Sequence, residues 1–247
     1  MLPASCLYLQ GMQQNEEHKN RKFQAALLIA MLLLFTVVFC RRWIWNLPVE
    51  AHKSAANYAD YKRSKDPWNK VHADSSLKLA KNGDLVLRAG SDEVSALFKR
   101  SNSHDKSYSH AGIVFIENGC PMVYNCIGNA ENPHQVLQRD SLLAYIDPKN
   151  NTGFAIYRFS LSSKQMEKLH DIAVQYFKEA RRFDPNFNLG TDSLLYCTEF
   201  VYKALIETTG KKDYFPISEV NNFDYVAPDN LYSRKDMKLI CKIGYKQ

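Results

Sequence analysis

Three residues of types that together perform thiol chemistry stand far apart in this 247-residue chain: Cys197, His110 and Asn125. Cys197 lies in the stretch Asp192-Ser193-Leu194-Leu195-Tyr196-Cys197-Thr198-Glu199-Phe200-Val201-Tyr202. Asp192 or Ser193 can serve as a helix N-cap, and Phe200, Val201, Ala204 and Leu205 recur at the three-and-four spacing of one buried face. The pattern predicts a helix with Cys197 in its first turn, pointing inward. Unpaired N–H groups and the positive end of the helix dipole favour a thiolate at such a position, and only the ionised sulfur is a good nucleophile. One of those N–H groups can also receive an oxyanion. A cysteine taken alone is more often a small buried hydrophobe, so Cys197 needs partners before it can be read as a nucleophile.

The partners come from a hairpin. Ser109 to Ile116 and Met122 to Ile127 are strand-like runs around Asn118-Gly119, a strong two-residue turn signal. With those two residues as the loop, Glu117 pairs with Cys120, Gly112 lies opposite Asn125, and His110 lies opposite Ile127. Successive side chains alternate between faces, so His110 and Asn125 share one face as diagonal neighbours. Gly112 leaves room for Asn125 to reach the imidazole, while Pro121 can bulge the strand and shift the register. A general base and its orienting group are thus expected on one sheet face.

Other elements must position this set. Asn82-Gly83-Asp84 is a turn before the apolar strand Leu85-Val86-Leu87, and a short helix runs from Asp92 to Lys99. Phe154 to Phe159 is a further strand. Ser162 or Ser163 caps a helix through Met166, Leu169, Ile172, Ala173, Tyr176 and Phe177, whose apolar face packs on the sheet. The Cys197 helix ends near Gly210, and Lys238 to Lys242 form a short strand.

Composition bounds the rest. A hydrophobic fraction of 45% with 23% charged residues describes a globular chain, which excludes disorder and a polytopic membrane protein. The net charge of +6 comes from scattered residues without a basic run, so no nucleic-acid partner is indicated, nor is an obligate protein partner evident. Six cysteines form no CxxC pair and seven histidines no HExxH pattern, so neither a metal nor an organic cofactor is expected. Residues 1–22 are polar and end in His18-Lys19-Asn20-Arg21-Lys22. The uncharged run 23–40, followed by Trp43 and Trp45, is expected to be a signal-anchor or transmembrane helix over 23–45. Val38-Phe39-Cys40 lacks the small residues of a cleavage site, which favours an uncleaved single-pass anchor. Residues 46–76 read as a helical linker interrupted at Pro67, and residues 77–247 as the compact domain.

The ordered set Gly83-Asp84-Leu85-Val86-Leu87-Arg88, Ser109-His110-Ala111-Gly112-Ile113-Val114, Phe183-Asp184 with Phe187, and Tyr196-Cys197-Thr198-Glu199-Phe200-Val201 resembles the circularly permuted papain-like amidases of the YaeF/YiiX type. These are related to NlpC-like cell-wall peptidases and to lecithin retinol acyltransferase. The resemblance covers roughly residues 77 to 207. It implies an α+β, permuted papain-like fold, an antiparallel sheet packed on helices, with the histidine strand preceding the nucleophile helix. It places the site on Cys197, His110 and Asn125, with Tyr196 and Asp84 as candidates for the oxyanion site or substrate cleft. Glutamate is expected at the third position, so Asn125 is a departure: it can fix the imidazole tautomer but cannot balance an imidazolium. The activity implied is a cysteine-dependent amidohydrolase cleaving an amide or ester through an acyl-thioester on a cell-envelope peptide. The alternatives are a lipid-directed acyltransferase or esterase and a catalytically silent peptide- or acyl-binding module. The anchor and the family together imply a membrane-attached domain on the non-cytoplasmic side.

Overall fold

The computed structural model describes residues 49–128, 135–220 and 223–246. The polar segment 1–22 and the expected anchor at 23–45 lie outside the described residues. Among those described, no helix is long and apolar enough to cross a membrane. Residues 57–247 form one compact unit, and residues 49–56 are the start of α1 (Val49–Lys65).

A six-stranded sheet organises the unit, in the order β10-β5-β1-β2-β3-β4, with every neighbouring pair antiparallel. Its strands are β1 (Asp84–Gly90), β2 (His110–Glu117), β3 (Cys120–Asn125), β4 (Gln138–Ser141), β5 (Asn151–Arg158) and β10 (Lys238–Gly244). Every residue of β1 is buried because it is central and covered on both faces. On one face Leu85, Leu87, Ala111, Ile113 and Phe115 pack against α5 (Ser163–Lys178) and α6 (Cys197–Thr209). On the other, Val86, Val114, Val123, Phe154 and Ile156 pack with Ala73 and Leu77 of α2 (Pro67–Leu79) and with Leu142 and Tyr145 of α4 (Leu142–Tyr145). The result is an α+β sandwich, as the resemblance implied.

Local chemistry accounts for the boundaries. Asn118 and Gly119 adopt φ of 49° and 79°, the left-handed pair of a tight hairpin, and the register Glu117↔Cys120 to Ile113↔Tyr124 follows as expected. Pro121 sits opposite Ile116 without a bulge. A Cβ on Gly112 would stand 2.9 Å from the Tyr124 carbonyl oxygen, so only glycine allows β2 and β3 to close there. Ser162 caps α5 in a reciprocal box with Gln165, and Gly210 ends α6 at φ 71°. Asp92 caps α3 (Glu93–Ser101).

The expected linker 46–76 is corrected, because its second half is built into the domain. Asn69 is fully buried and donates from Nδ2 to the Arg63 and Lys246 carbonyls, both at 2.9 Å, while its Oδ1 accepts the Lys246 N–H at 2.8 Å. Arg63 donates to the Pro148 carbonyl at 3.2 Å. The helices preceding Leu77 therefore cover the sheet's second face and tie the last strand to it. Asn69→Ala orphans three backbone partners and should cost about 2–4 kcal/mol in denaturant unfolding. A loss below about 0.5 kcal/mol would mean these helices are dispensable.

Candidate active site

Cys197 is the first residue of α6 and follows Tyr196, whose backbone is extended (φ −97°, ψ 168°). The expectation that Asp192 or Ser193 caps this helix is corrected: Leu194–Leu195 form β7, paired in parallel with β6 (Arg182–Phe183). That pairing holds the chain extended up to Tyr196, so the helix starts at the cysteine itself. The buried Glu199 carboxylate accepts the Tyr196 N–H at 3.2 Å and lies 3.0 Å from Lys203 Nζ. Burial pushes the Glu199 pKa up to about 7, against the pull of Lys203 and the Tyr196 N–H. A second clamp comes from the C-terminal region: Val226 donates its N–H to Tyr196 Oη at 2.9 Å and accepts from Thr198 Oγ1 at 2.5 Å.

The backbone N–H groups of Ala111, Thr198 and Cys197 itself act on the sulfur in the direction that lowers its pKa. The amide of Ala111 is open to it because the β2–β3 ladder ends at the Ile113↔Tyr124 pair. Burial nevertheless dominates and raises the Cys197 pKa, although those N–H groups and the Arg88 charge oppose it. That direction runs against the thiolate expected from the helix position.

His110 opens β2 opposite Arg88 on β1 and is 6% exposed. Burial first, and the Arg88 charge next, push its pKa down to about 3, so the imidazole is neutral at any physiological pH. Its Nε2 lies 3.0 Å from Ser95 Oγ on α3, and the Phe98 ring packs edge-on at 6.1 Å. Ser95 Oγ donates to Asp92 Oδ2 at 2.6 Å, and the Ser95 N–H donates to Asp92 Oδ1 at 2.8 Å. Burial would raise the Asp92 pKa, but these Ser95 bonds and the neighbouring His110 hold it below the usual carboxylate range.

The structure brings Cys197, His110 and Tyr196 to one cleft of about 790 Å³. It does not bring the Asn125 carboxamide to the imidazole. Asn125 shares the predicted sheet face, but its Nδ2 donates to Asp140 Oδ2 on β4 at 2.9 Å and its Oδ1 accepts no hydrogen bond. The adjacent carboxylate is the stronger acceptor, so the amide turns to β4. Asp84 is likewise corrected as a cleft candidate. It sits at the far end of β1, paired with Val114, and accepts from Arg158 Nε and Nη2, both at 2.7 Å, and from the Lys81 N–H at 2.8 Å. Asp84 closes a turn.

The cleft wall is mainly apolar: Val94, Leu97 and Phe98 from α3, Phe187 from the 184–190 loop, and Phe223 and Val226 from the C-terminal region. Phe187 takes the left-handed conformation at φ 54°, held by Asp184, whose carboxylate accepts the N–H groups of Asn186 and Asn188 at 2.9 and 2.7 Å. That places its ring against Phe98, Phe183 and Tyr196, with centroids 5.2, 5.8 and 5.1 Å away. Among the described residues, no group of three or more His, Cys, Asp or Glu could hold a metal ion. The sequence reading missed Ser95 and Arg88 as neighbours of the imidazole. An Asp three residues before a Ser reads as an ordinary helix cap, and the only further signal was Gly90.

Comparison with known proteins identifies the family and the fold. Residues 79–240 match the family described as permuted papain-like amidase enzyme, YaeF/YiiX, C92 family. Among solved structures, the metalloprotein YiiX from Escherichia coli O157:H7 superposes with a TM-score of 0.55 at 18% identity, over 67% of this chain and 99% of that one. No curated protein matches the sequence.

A neutral thiol beside a neutral imidazole has measurable consequences. Iodoacetamide labelling of Cys197 should accelerate as pH rises beyond the ordinary thiol range. A plateau of fast labelling between pH 5 and 7 would reveal a preformed ion pair instead. Because His110 is held below its unfolded pKa near 6.5, its contribution to stability is complete above pH 6.5 and is lost as pH falls from there toward 3. The gap in unfolding free energy between wild type and His110→Asn should change with pH below 6.5 at up to about 1.4 kcal/mol per unit. A gap independent of pH would contradict the buried neutral ring.

Proposed function

The chain belongs to the permuted papain-like amidase family of the YaeF/YiiX type, and from this premise we propose that it is a cysteine-dependent hydrolase or acyltransferase acting on an amide or ester. The observation that carries the reading is a thiol at a helix N-terminus sharing a cleft with a buried neutral imidazole. Cys197 attacks the carbonyl while His110 takes the thiol proton as general base, then returns it to the leaving amine or alcohol. The carbonyl oxygen gains negative charge, and the N–H groups at the start of α6 are placed to receive it. Water or another acceptor then attacks the acyl-thioester with His110 again as base. Resting neutrality suits this sequence, since the ring is unprotonated when its basicity is needed.

The cleft lining favours a lipid acyl group over a cell-envelope peptide. A peptide's charged termini and carboxylates would lose hydration against Leu97, Phe98, Phe187 and Phe223, whereas an acyl chain gains from the same burial. Val94 and Leu97 are 54% and 64% exposed at this cleft, ready to be covered by such a chain. Anchoring through residues 23–45, with the domain on the non-cytoplasmic side of the membrane, would hold it at a lipid surface.

Full-length protein incubated separately with phospholipid vesicles and with muropeptides, followed by mass spectrometry, separates the two substrate classes. Acyl release or transfer from the lipid is expected. Cleavage of muropeptides alone would reverse the preference, and no covalent turnover of either would favour a binding module. Cys197→Ala should lower turnover at least about 1,000-fold, and full activity in that variant would end the proposal.

A further inference from the structure

A histidine base needs a group that fixes its tautomer and balances the charge it acquires. Asn125 is engaged with Asp140, and among the described residues the hydrogen bond at His110 Nε2 comes from α3. The proton count there is decisive. Ser95 carries a single hydroxyl proton, and the Asp92 carboxylate, held ionised, can only accept. At 2.6 Å the Ser95 proton goes to Asp92 Oδ2, so Ser95 Oγ must accept from the ring, and His110 must carry its proton on Nε2. Nδ1 is then the basic nitrogen.

We propose that Ser95 and Asp92 form the positioning relay of this site, with Ser95 setting the His110 tautomer and Asp92 compensating the imidazolium through the hydroxyl. The proposal rests on His110 being the base. When the sulfur bonds to the carbonyl carbon, the carbonyl π electrons move to oxygen, and the thiol proton passes to Nδ1. The positive charge spreads to Nε2–H, which points through Ser95 Oγ to the Asp92 carboxylate. On collapse the C–N or C–O bond breaks, and the proton leaves Nδ1 for the departing group. An interposed hydroxyl keeps the carboxylate off the ring, so the imidazole stays neutral at rest and is stabilised only once charged.

The surroundings are built to hold this relay. Ser95 is fully buried, and a Cβ on Gly90 would stand 2.1 Å from its hydroxyl oxygen and 3.0 Å from Asp92 Oδ2. Lys99 Nζ donates to the Gly90 carbonyl at 3.0 Å, fastening α3 to the end of β1. A helix cap alone would need only the bond from the Ser95 N–H to Asp92, which a substitution of the side chain at 95 preserves.

Nitrogen-15 NMR of His110 in the wild-type protein reads the tautomer without reference to catalysis. The Nε2–H form is expected, and the Nδ1–H form would overturn the relay. Ser95→Ala should lower kcat about 10- to 100-fold with KM changed less than about twofold, and should shift His110 toward a mixture of tautomers. Asp92→Asn should lower kcat similarly, and the double variant should be no worse than the poorer single one. Full activity of Ser95→Ala, or losses that multiply in the double variant, would overturn the relay while an inactive Cys197→Ala leaves the nucleophile assignment standing. Activity surviving in both Cys197→Ala and His110→Ala would instead remove the base on which the relay depends.

Discussion

The antiparallel register of β1, β2 and β3 is the constraint on which everything else rests. Side chains in a strand alternate with period two, so a slip of one residue would turn His110 toward the opposite layer and bring Ala111 to its place. The slip is prevented twice, by the left-handed Asn118-Gly119 turn and by the close approach of strands over Gly112. With the register fixed, His110 faces Arg88 across the ladder, and the amide of Ala111 is among the groups that act on the sulfur at the start of α6. The helix carrying Cys197 is seated by its own apolar face against the same sheet, so two rigid elements hold sulfur and ring along one cleft.

Burial, more than charge, sets the protonation states of the pair. Three N–H groups and an arginine act on the sulfur in the direction that favours a thiolate, yet desolvation outweighs them. The same desolvation, now joined by the arginine, keeps the imidazole neutral. Both directions favour the neutral forms of the pair.

Elements governed by local chemistry were legible in the chain. The Asn118-Gly119 hairpin and its register, the Ser162 cap, the strand from Leu85 and the Gly210 stop each follow from residues adjacent in sequence. Features governed by distant partners were not. Asn69 and Lys246 bond across 177 positions with no periodic trace, so the helices before Leu77 looked like a linker. Asp92 and Ser95 form a local helix cap, and the second contact of Ser95 depends on where β2 begins. Asn125 was placed on the correct face, but its amide answers to Asp140, whose position depends on how β4 pairs with β3.

The clamp between Val226 and the residues flanking Cys197 joins the start of α6 to a segment about 30 positions further along the chain. During synthesis the chain emerges from its N-terminus, and the sheet core through β5 is complete well before residue 226 leaves the ribosome. The start of α6 acquires its final geometry only after that point. A product cut short before residue 226 lacks both bonds of this clamp.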